Sequence, residues 1–469
     1  MTFKFDIDRF VIWLLPLLIG VFLILFQQIW ASYAMALIIA VLIYELLIYK
    51  YRLIFGLSGL KFLSFPSIIY TTFTGFIAIP GVYITAIEQD PAILTFFMGV
   101  LSFYILFPAA LLLTNNLLPV DMQKVKNLTQ NRFVKSGLDR KTYEWLLILL
   151  GISGLIAAVY LIRVPSVPIL ELFTDAGAYR KLTTLREESL KLLNATSIEL
   201  YAFAWLRSIF IPIGITASLF LTIVYKERKY KILFLAFLIP GIIYNAFTLE
   251  KSPTAAIFLA IMAMYFLRSG KVSFKLILVS ILLIFSMPMI IMYFLHLKHR
   301  NILEIISIAV LYRVFVVPSE VLYFHFKIFP RIHDFLNGQV SQLFAWMHPD
   351  GVFPLPNYVA QIWWNNPRTT GFANTIYMGN FWADFGWPGV IVSTVLLGIV
   401  IQLMYRKLLM VSGYRVNIIY AAVSATLLPL LTVSFFSINF TTIITTNGLV
   451  WIILMLLYLG LKKRSLQMA

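Results

Sequence analysis

The sequence predicts an all-α polytopic integral membrane protein of about 12 transmembrane helices, with a long outer-face loop that carries amphipathic helices. Three observations predict it. Runs of about 20 apolar residues recur along the whole chain, each long enough to cross a ~30 Å hydrocarbon layer as a helix. Lys and Arg collect on alternate loops between those runs. One late interval, 297–383, is polar, aromatic and rich in His, and it interrupts an otherwise regular series. Composition agrees: the 469 residues are 61% hydrophobic and 12% charged, with mean hydropathy +0.90. A soluble domain cannot hide that much apolar sequence beneath a polar surface.

Taken in order, the expected spans lie near residues 10–27, 30–49, 62–86, 91–114, 144–163, 199–225, 232–249, 253–268, 276–296, 384–405, 416–436 and 447–461. After the first, Trp30-Ala-Ser-Tyr-Ala-Met-Ala36 imitates a cleavage site, but a second apolar run follows at once, so an uncleaved first helix is expected. Basic residues such as Lys50, Arg52, Lys61, Lys124, Lys126, Arg228, Lys229, Lys271, Arg406 and Lys462 fall on one set of loops. The positive-inside bias makes that set cytoplasmic and places both termini there. The net charge of +17 is then a basic inner face against anionic lipid headgroups, with no nucleic-acid partner called for. The chain has no Cys, which excludes disulfides and thiolate metal sites. No repeat and no soluble domain interrupts it, so residues 1–469 read as one polytopic membrane domain with two long outer-face loops, 163–198 and 297–383. In the first loop Leu182, Leu185, Leu192 and Leu193 suggest a short amphipathic helix. In the second, residues 302–327 have helical periodicity with an expected kink at Pro318, and 328–370 hold the turn formers Pro330, Gly338, Pro349, Gly351, Pro354 and Pro356. Trp346, Trp363 and Trp364 suit a membrane-interface belt.

Chemistry is sought among ionisable residues near membrane depth, where a charge costs roughly 2.5–3.5 kcal/mol and needs a partner or a purpose. The candidates are Glu45, Arg207, Glu250, Lys251, Arg300, Arg313, Glu320 and Asp384. Arg313 and Glu320 are two helical turns apart and are expected on one face. If the bundle closes, Arg180, Lys251, Arg300 and Arg313 converge at the outer face, where guanidinium forks and an ammonium suit a pyrophosphate. Each also fits an ordinary loop cation, and Lys251 also fits a pair with Glu250. His296, His299, His325, His333 and His348 lie in or beside the second loop. They show no metal-ligand spacing and no accompanying carboxylate cluster, so no metal and no cofactor are expected. His333, beside Asp334, and His348, two residues before Asp350, are candidate general bases. There is no nucleotide P-loop and no globular α/β domain with paired metal-binding Asp, so any glycosyl donor must arrive within the membrane.

At this point a resemblance emerges. Arg313-Val-Phe-Val-Val-Pro-Ser-Glu320, then Phe335-Leu-Asn-Gly338, Gly371-Phe-Ala-Asn374 and Tyr377-Met-Gly-Asn-Phe-Trp-Ala-Asp-Phe-Gly386-Trp-Pro-Gly389 together resemble the C-terminal half of Wzy-type polysaccharide repeat-unit polymerases, also called O-antigen polymerases. The turn at Lys251-Ser252 is similar to the family's basic residue between two central spans. The likeness covers about residues 240–405 in motif; the N-terminal 160 residues carry no signature. It implies a GT-C-like architecture and an inverting, metal-independent transfer between undecaprenyl-pyrophosphate-linked oligosaccharides at the periplasmic face. It also implies a chain-length regulator as partner, alongside the lipid bilayer. It assigns Arg313, with Lys251, Arg300 or Arg180, to the pyrophosphate, and Glu320, or one of His333, His348 and Asp350, to the acceptor hydroxyl. Asn374 and Tyr377 join the substrate-binding set, and Tyr358, Trp363, Trp364 and Trp382 offer faces to sugar rings.

Three rivals differ in class or acceptor. An O-antigen ligase shares donor and architecture. A flippase or other transporter has no chemistry, but the polar residues here cluster at one face and not at mid-membrane. A polyprenyl-phosphate mannosyltransferase places an acidic pair in an early outer loop, which Glu88-Gln-Asp90 faintly imitates.

Overall fold

Six helices of the computed structural model are long and apolar enough to cross a membrane, and two shorter apolar helices accompany them. The structure describes residues 29–48, 65–119, 139–164, 167–168, 170–171, 197–247, 251–269, 278–279, 282, 307–340, 347–348, 351–369, 371–412, 422–427 and 429–430. In chain order, α1 is Ile29–Ile48, α2 is Phe65–Ile87, α3 is Ala92–Leu117 and α4 is Asp139–Arg163. α5 is Ile198–Tyr225, α6 is Arg228–Phe247 and α7 is Lys251–Ser269. α8 passes from a π-helical stretch, Ser307–Val316, into α-helical Val317–Ile328. α9 is the short Leu355–Trp363, and α10 is Tyr377–Ser412. The protein is thus an all-helical, multi-pass membrane protein among its described residues. α1 to α7 fall within a few residues of their expected spans. The expected spans near 10–27, 276–296, 416–436 and 447–461 lie wholly or largely outside the described residues.

Prolines shape several of these helices without ending them. Pro80, Pro212 and Pro318 each follow a π-helical stretch, at Thr74–Ala78, Leu206–Phe210 and Ser307–Val316. A proline ring collides with the carbonyl four residues back, and it donates no hydrogen bond to it. The wider π turn moves that carbonyl aside. At Pro318 the backbone therefore stays helical through Val316 (φ −90°, ψ −46°). Two carbonyls at the end of the α2 π turn also accept from neighbouring helices: Tyr33 of α1 donates to Ala78 at 3.0 Å and Ser319 of α8 donates to Ile77 at 2.9 Å.

The chain divides into two compact units. The first comprises residues 1–119, 311–403 and 435–441, and so holds α1 to α3, most of α8, α9 and most of α10. Its core is aromatic: Tyr44 stacks on Tyr70 at 3.9 Å and Phe73 on Phe103 at 3.8 Å. α8 lies close against α3 because Gly99 leaves room for the Phe326 ring; a Cβ there would stand 2.6 Å from Phe326 Cζ. The second unit comprises residues 120–310, 404–434 and 442–469. α5 is its centre, packed by α4, α6 and α7. The Thr216 hydroxyl of α5 bonds its own helix at Pro212 (2.8 Å) and reaches the Ala422 carbonyl at 3.3 Å. α4 leaves Trp145, Leu155 and Ile162 exposed, the surface of a helix that meets lipid.

Candidate functional site

The loop end of the first unit is built on α8. Its π-helical stretch presents Tyr312 and Arg313 at the surface, and the following α-helical turn begins with Pro318, Ser319 and the half-buried Glu320. The Glu320 carboxylate accepts from the Tyr312 hydroxyl at 2.5 Å and from the Trp363 indole N–H of α9 at 3.1 Å. Burial first, and the Glu320 carboxylate second, push the Tyr312 phenol well above its ordinary range, so it remains a donor. Trp363 stacks on Trp364 at 5.2 Å, with Phe324 at 6.4 Å on its other flank. A carboxylate at the foot of an aromatic shelf results. The π turn changes the helical phase between Arg313 and Glu320, so their seven-residue spacing does not by itself put them on one face. Arg313 is exposed while Glu320 is half-buried.

The loop after α8 is fastened to α10 by backbone chemistry. Asp384 is 4% exposed, and one of its oxygens accepts the N–H groups of Gly338 and Val340, both at 3.1 Å. The carbonyls of Ala383 and Asp384 accept from Leu336 and Asn337, both at 2.9 Å. Immediately beyond, Gly386 adopts φ +63° and ψ −140°, a region open essentially to Gly alone, and divides α10 into two helices. The break leaves the N-terminal piece, from Tyr377 to Phe385, free to serve as a dock for the loop, which is why α10 starts well before the span expected at 384. Trp382 adds a bond from its indole to the Phe329 carbonyl at 3.0 Å, and Asn357 of α9 holds the Thr369 and Gly371 carbonyls at 3.0 and 3.1 Å.

His333 sits in this loop, ringed by Phe329, Phe353 and Tyr358 at 5.6, 5.2 and 5.5 Å. Its Nδ1 lies 2.7 Å from the Asp334 carbonyl. A carbonyl only accepts, so Nδ1 carries the proton of the neutral ring and Nε2 is left as the basic nitrogen. His348 spends Nε2 on the Asn337 carbonyl at 3.1 Å. His325 is fully enclosed in α8, bonded through Nδ1 to the Val321 carbonyl at 2.8 Å, and burial lowers it to about 4. Glu88 and Asp90, in the turn between α2 and α3, are tied to α8 and the residues after it. Tyr323 donates to Glu88 at 3.0 Å, Lys327 lies 3.6 Å from Glu88, and Arg331 pairs with Asp90 at 2.7 Å. Asp90 also accepts the Ala92 N–H at 2.7 Å, at the start of α3. This is the pattern of a clamp between helix ends.

The structure therefore brings Arg313, Glu320, His333, His348, Asn374 and Tyr377 into one unit, in different settings. Asn374 is exposed. Tyr377 is buried, its hydroxyl 2.8 Å from the Thr394 hydroxyl within α10. Lys251 opens α7 in the second unit; its side chain, together with Arg180, Arg300 and Asp350, lies outside the described residues. Two parts of the site escape the sequence reading. Tyr312 and Trp363 as partners of Glu320 are invisible because the contacts depend on the π turn and on where α9 lands. The anchoring role of Asp384 is half legible, as an acid at the edge of a span. Among the described residues no group of His, Asp and Glu side chains is arranged to hold a metal ion. No family model matches the chain, and no curated protein or solved structure matches it either.

Proposed function

We propose that this multi-pass membrane protein is a GT-C-like glycosyltransferase that joins undecaprenyl-pyrophosphate-linked oligosaccharide repeat units, at the periplasmic face of a bacterial inner membrane with both termini cytoplasmic. One observation supports the reading above others. Four of the segments on which the Wzy-type resemblance rests, at 313–320, 335–338, 371–374 and 377–389, fall in one compact unit, where backbone bonds to Asp384 and the turn at Gly386 join two of them directly, while the Lys251-Ser252 turn belongs to the other unit. In this reading the acceptor sugar hydroxyl attacks the anomeric carbon of the donor. The bond from that carbon to the pyrophosphate oxygen breaks, the hydroxyl proton passes to Glu320 or to His333 Nε2, and the polyprenyl pyrophosphate leaves as an anion. Arg313 stabilises the charge that develops there. The shelf of Trp363 and Trp364 supplies faces for the sugar rings. Loop residues 329–376 cover the reaction and exclude water, which would otherwise hydrolyse the donor.

The deciding experiment is the size distribution of surface polysaccharide in a deletion strain. Loss of the ladder with single repeats retained is the expected result. Loss of all glycan on the acceptor, with polymer still on the lipid carrier, would indicate a ligase. An unchanged ladder would refute both and leave a transporter or a polyprenyl-phosphate mannosyltransferase. Complementation with Arg313→Ala is expected to leave the ladder missing at normal membrane abundance, and a restored ladder would remove Arg313 from the pyrophosphate.

A further inference from the structure

Tyr312 and Glu320 meet in a way that a regular helix does not allow. They stand eight residues apart on α8. In an α-helix that spacing overshoots two turns by about 80°, which sends the two side chains off in different directions. Tyr312 lies in the π-helical stretch, where the extra residue per turn takes up part of that offset. The phenol therefore donates to one Glu320 oxygen at 2.5 Å, the short separation of a hydroxyl bonded to a carboxylate anion. The other Glu320 oxygen accepts the Trp363 indole N–H at 3.1 Å. Trp363 is in turn flanked by Trp364 and Phe324. The half-buried carboxylate is thus held through both oxygens by groups of its own protein.

The phenol is placed differently. Tyr312 is 39% exposed, so a substrate can reach it. Its hydrogen is committed to Glu320, and what its oxygen has left to offer is a lone pair. A partner arriving from the open side must therefore donate. A sugar hydroxyl donates, whereas a phosphate oxygen does not. Burial and the neighbouring carboxylate hold the phenol well above its ordinary range, which keeps it from acting as a phenolate base. It can take a proton only by passing on its own, and Glu320 is already in place to receive it.

We propose, resting on the glycosyl-transfer reading, that Tyr312 is a catalytic residue which relays the proton of the acceptor sugar hydroxyl to Glu320. As the hydroxyl oxygen bonds to the donor's anomeric carbon, the bond from that carbon to the pyrophosphate oxygen breaks. Its electron pair leaves with the pyrophosphate. The hydroxyl proton passes to the Tyr312 oxygen while the Tyr312 proton passes to Glu320. Tyr312 ends as it began, a neutral phenol. Glu320 ends protonated and returns the proton to water once the products leave. Two protons move in one step, where a direct base would move one.

The purified full chain in proteoliposomes is supplied with undecaprenyl-pyrophosphate-linked repeat units from a deletion strain, and the rate of joining is measured. Tyr312→Phe keeps the ring, and a melting midpoint reports that it is folded. It is expected to lower kcat about 10²-fold or more, with kcat/KM falling equally. In mixtures of light and heavy water the wild-type single-turnover rate is expected to fall along a curve, the mark of two protons in flight. A tyrosine that only steadies Glu320 would give a straight line, and that result overturns the relay. A Tyr312→Phe rate equal to wild type overturns it as well. Should Tyr312→Phe fail to fold, the wild-type curve decides alone. Failure of the wild type to join units at all would instead sink the glycosyl-transfer reading, and the relay with it.

Discussion

Asp384 is the residue on which the shape of the candidate site turns, and replacing it gives a quantitative test. Its carboxylate accepts two backbone N–H groups, from Gly338 and Val340, at 3.1 Å each and in a buried position. Asp384→Ala leaves both donors without a partner, at about 1–3 kcal/mol apiece. Relief from burying a carboxylate offsets part of that, so the loop is expected to lose roughly 2–4 kcal/mol of its anchoring. Asp384→Asn keeps an oxygen in place and loses only the charge assistance, about 1 kcal/mol. The readout is trypsin nicking after Arg331 and Arg368, on the protein reconstituted in bilayers. When a loop opens and closes faster than it is cut, the nicking rate follows the open population, so a loss of about 3 kcal/mol accelerates it about a hundredfold. The expected order is wild type, then Asp384→Asn a few-fold faster, then Asp384→Ala much faster. If Asp384→Ala is nicked no faster than wild type, the loop is held by something else and the anchoring argument fails.

Three further outcomes follow from the same geometry. Gly386→Ala forces a Cβ onto a backbone at φ +63° and ψ −140° and to 2.9 Å from the Phe335 ring, so it is expected to cost about 1–3 kcal/mol and lower the melting midpoint; an unchanged midpoint would mean the break in α10 is not strained. Glu320→Gln keeps the shape and the acceptor for Trp363 but removes a base, and polymer formation in membranes is expected to fall about 10²–10⁴-fold; full activity would pass the role to His333. His325 has its folded-state pKa depressed, from 6.5 to about 4, so stability is fully present above about 6.5 and is lost as pH falls toward 4, by about 3 kcal/mol in all. A pH series of melting midpoints is expected to show that acid loss in wild type and a flatter profile in His325→Phe; identical profiles would rule His325 out as its source.

The spans were legible because membrane burial demands long uninterrupted apolar helices, and α2 to α6 obey that demand closely. The second long loop was legible as a loop, and Glu320 and His333 as candidates, because polar residues in an apolar chain stand out. What the sequence could not supply was pairing. Glu88 and Asp90 read as a faint catalytic pair, yet Tyr323, Lys327 and Arg331 engage them, and that contact joins residues more than two hundred positions apart. Tyr377 read as a ligand group through its motif, yet its hydroxyl meets Thr394 four to five turns further along α10, past a glycine break that no periodicity announces.

The three proline-linked π stretches point to a common device. An α-helix in lipid has no spare backbone group, so it can neither recruit a neighbour by hydrogen bonding nor tilt a side chain off its regular stripe. A proline one residue beyond a π turn relaxes both limits at once, because the ring removes one donor and the extra residue per turn shifts the phase. In α2 the carbonyls at the end of the π turn accept from Tyr33 and Ser319, which fixes α1 and α8 to the same turn. In α5 and α8 the π stretches carry Arg207 and Arg313, two of the arginines that stand out near membrane depth. Pro80, Pro212 and Pro318 are therefore better understood as positioning elements than as kinks. Each lets an otherwise featureless apolar helix place one polar group where a regular helix would turn it elsewhere.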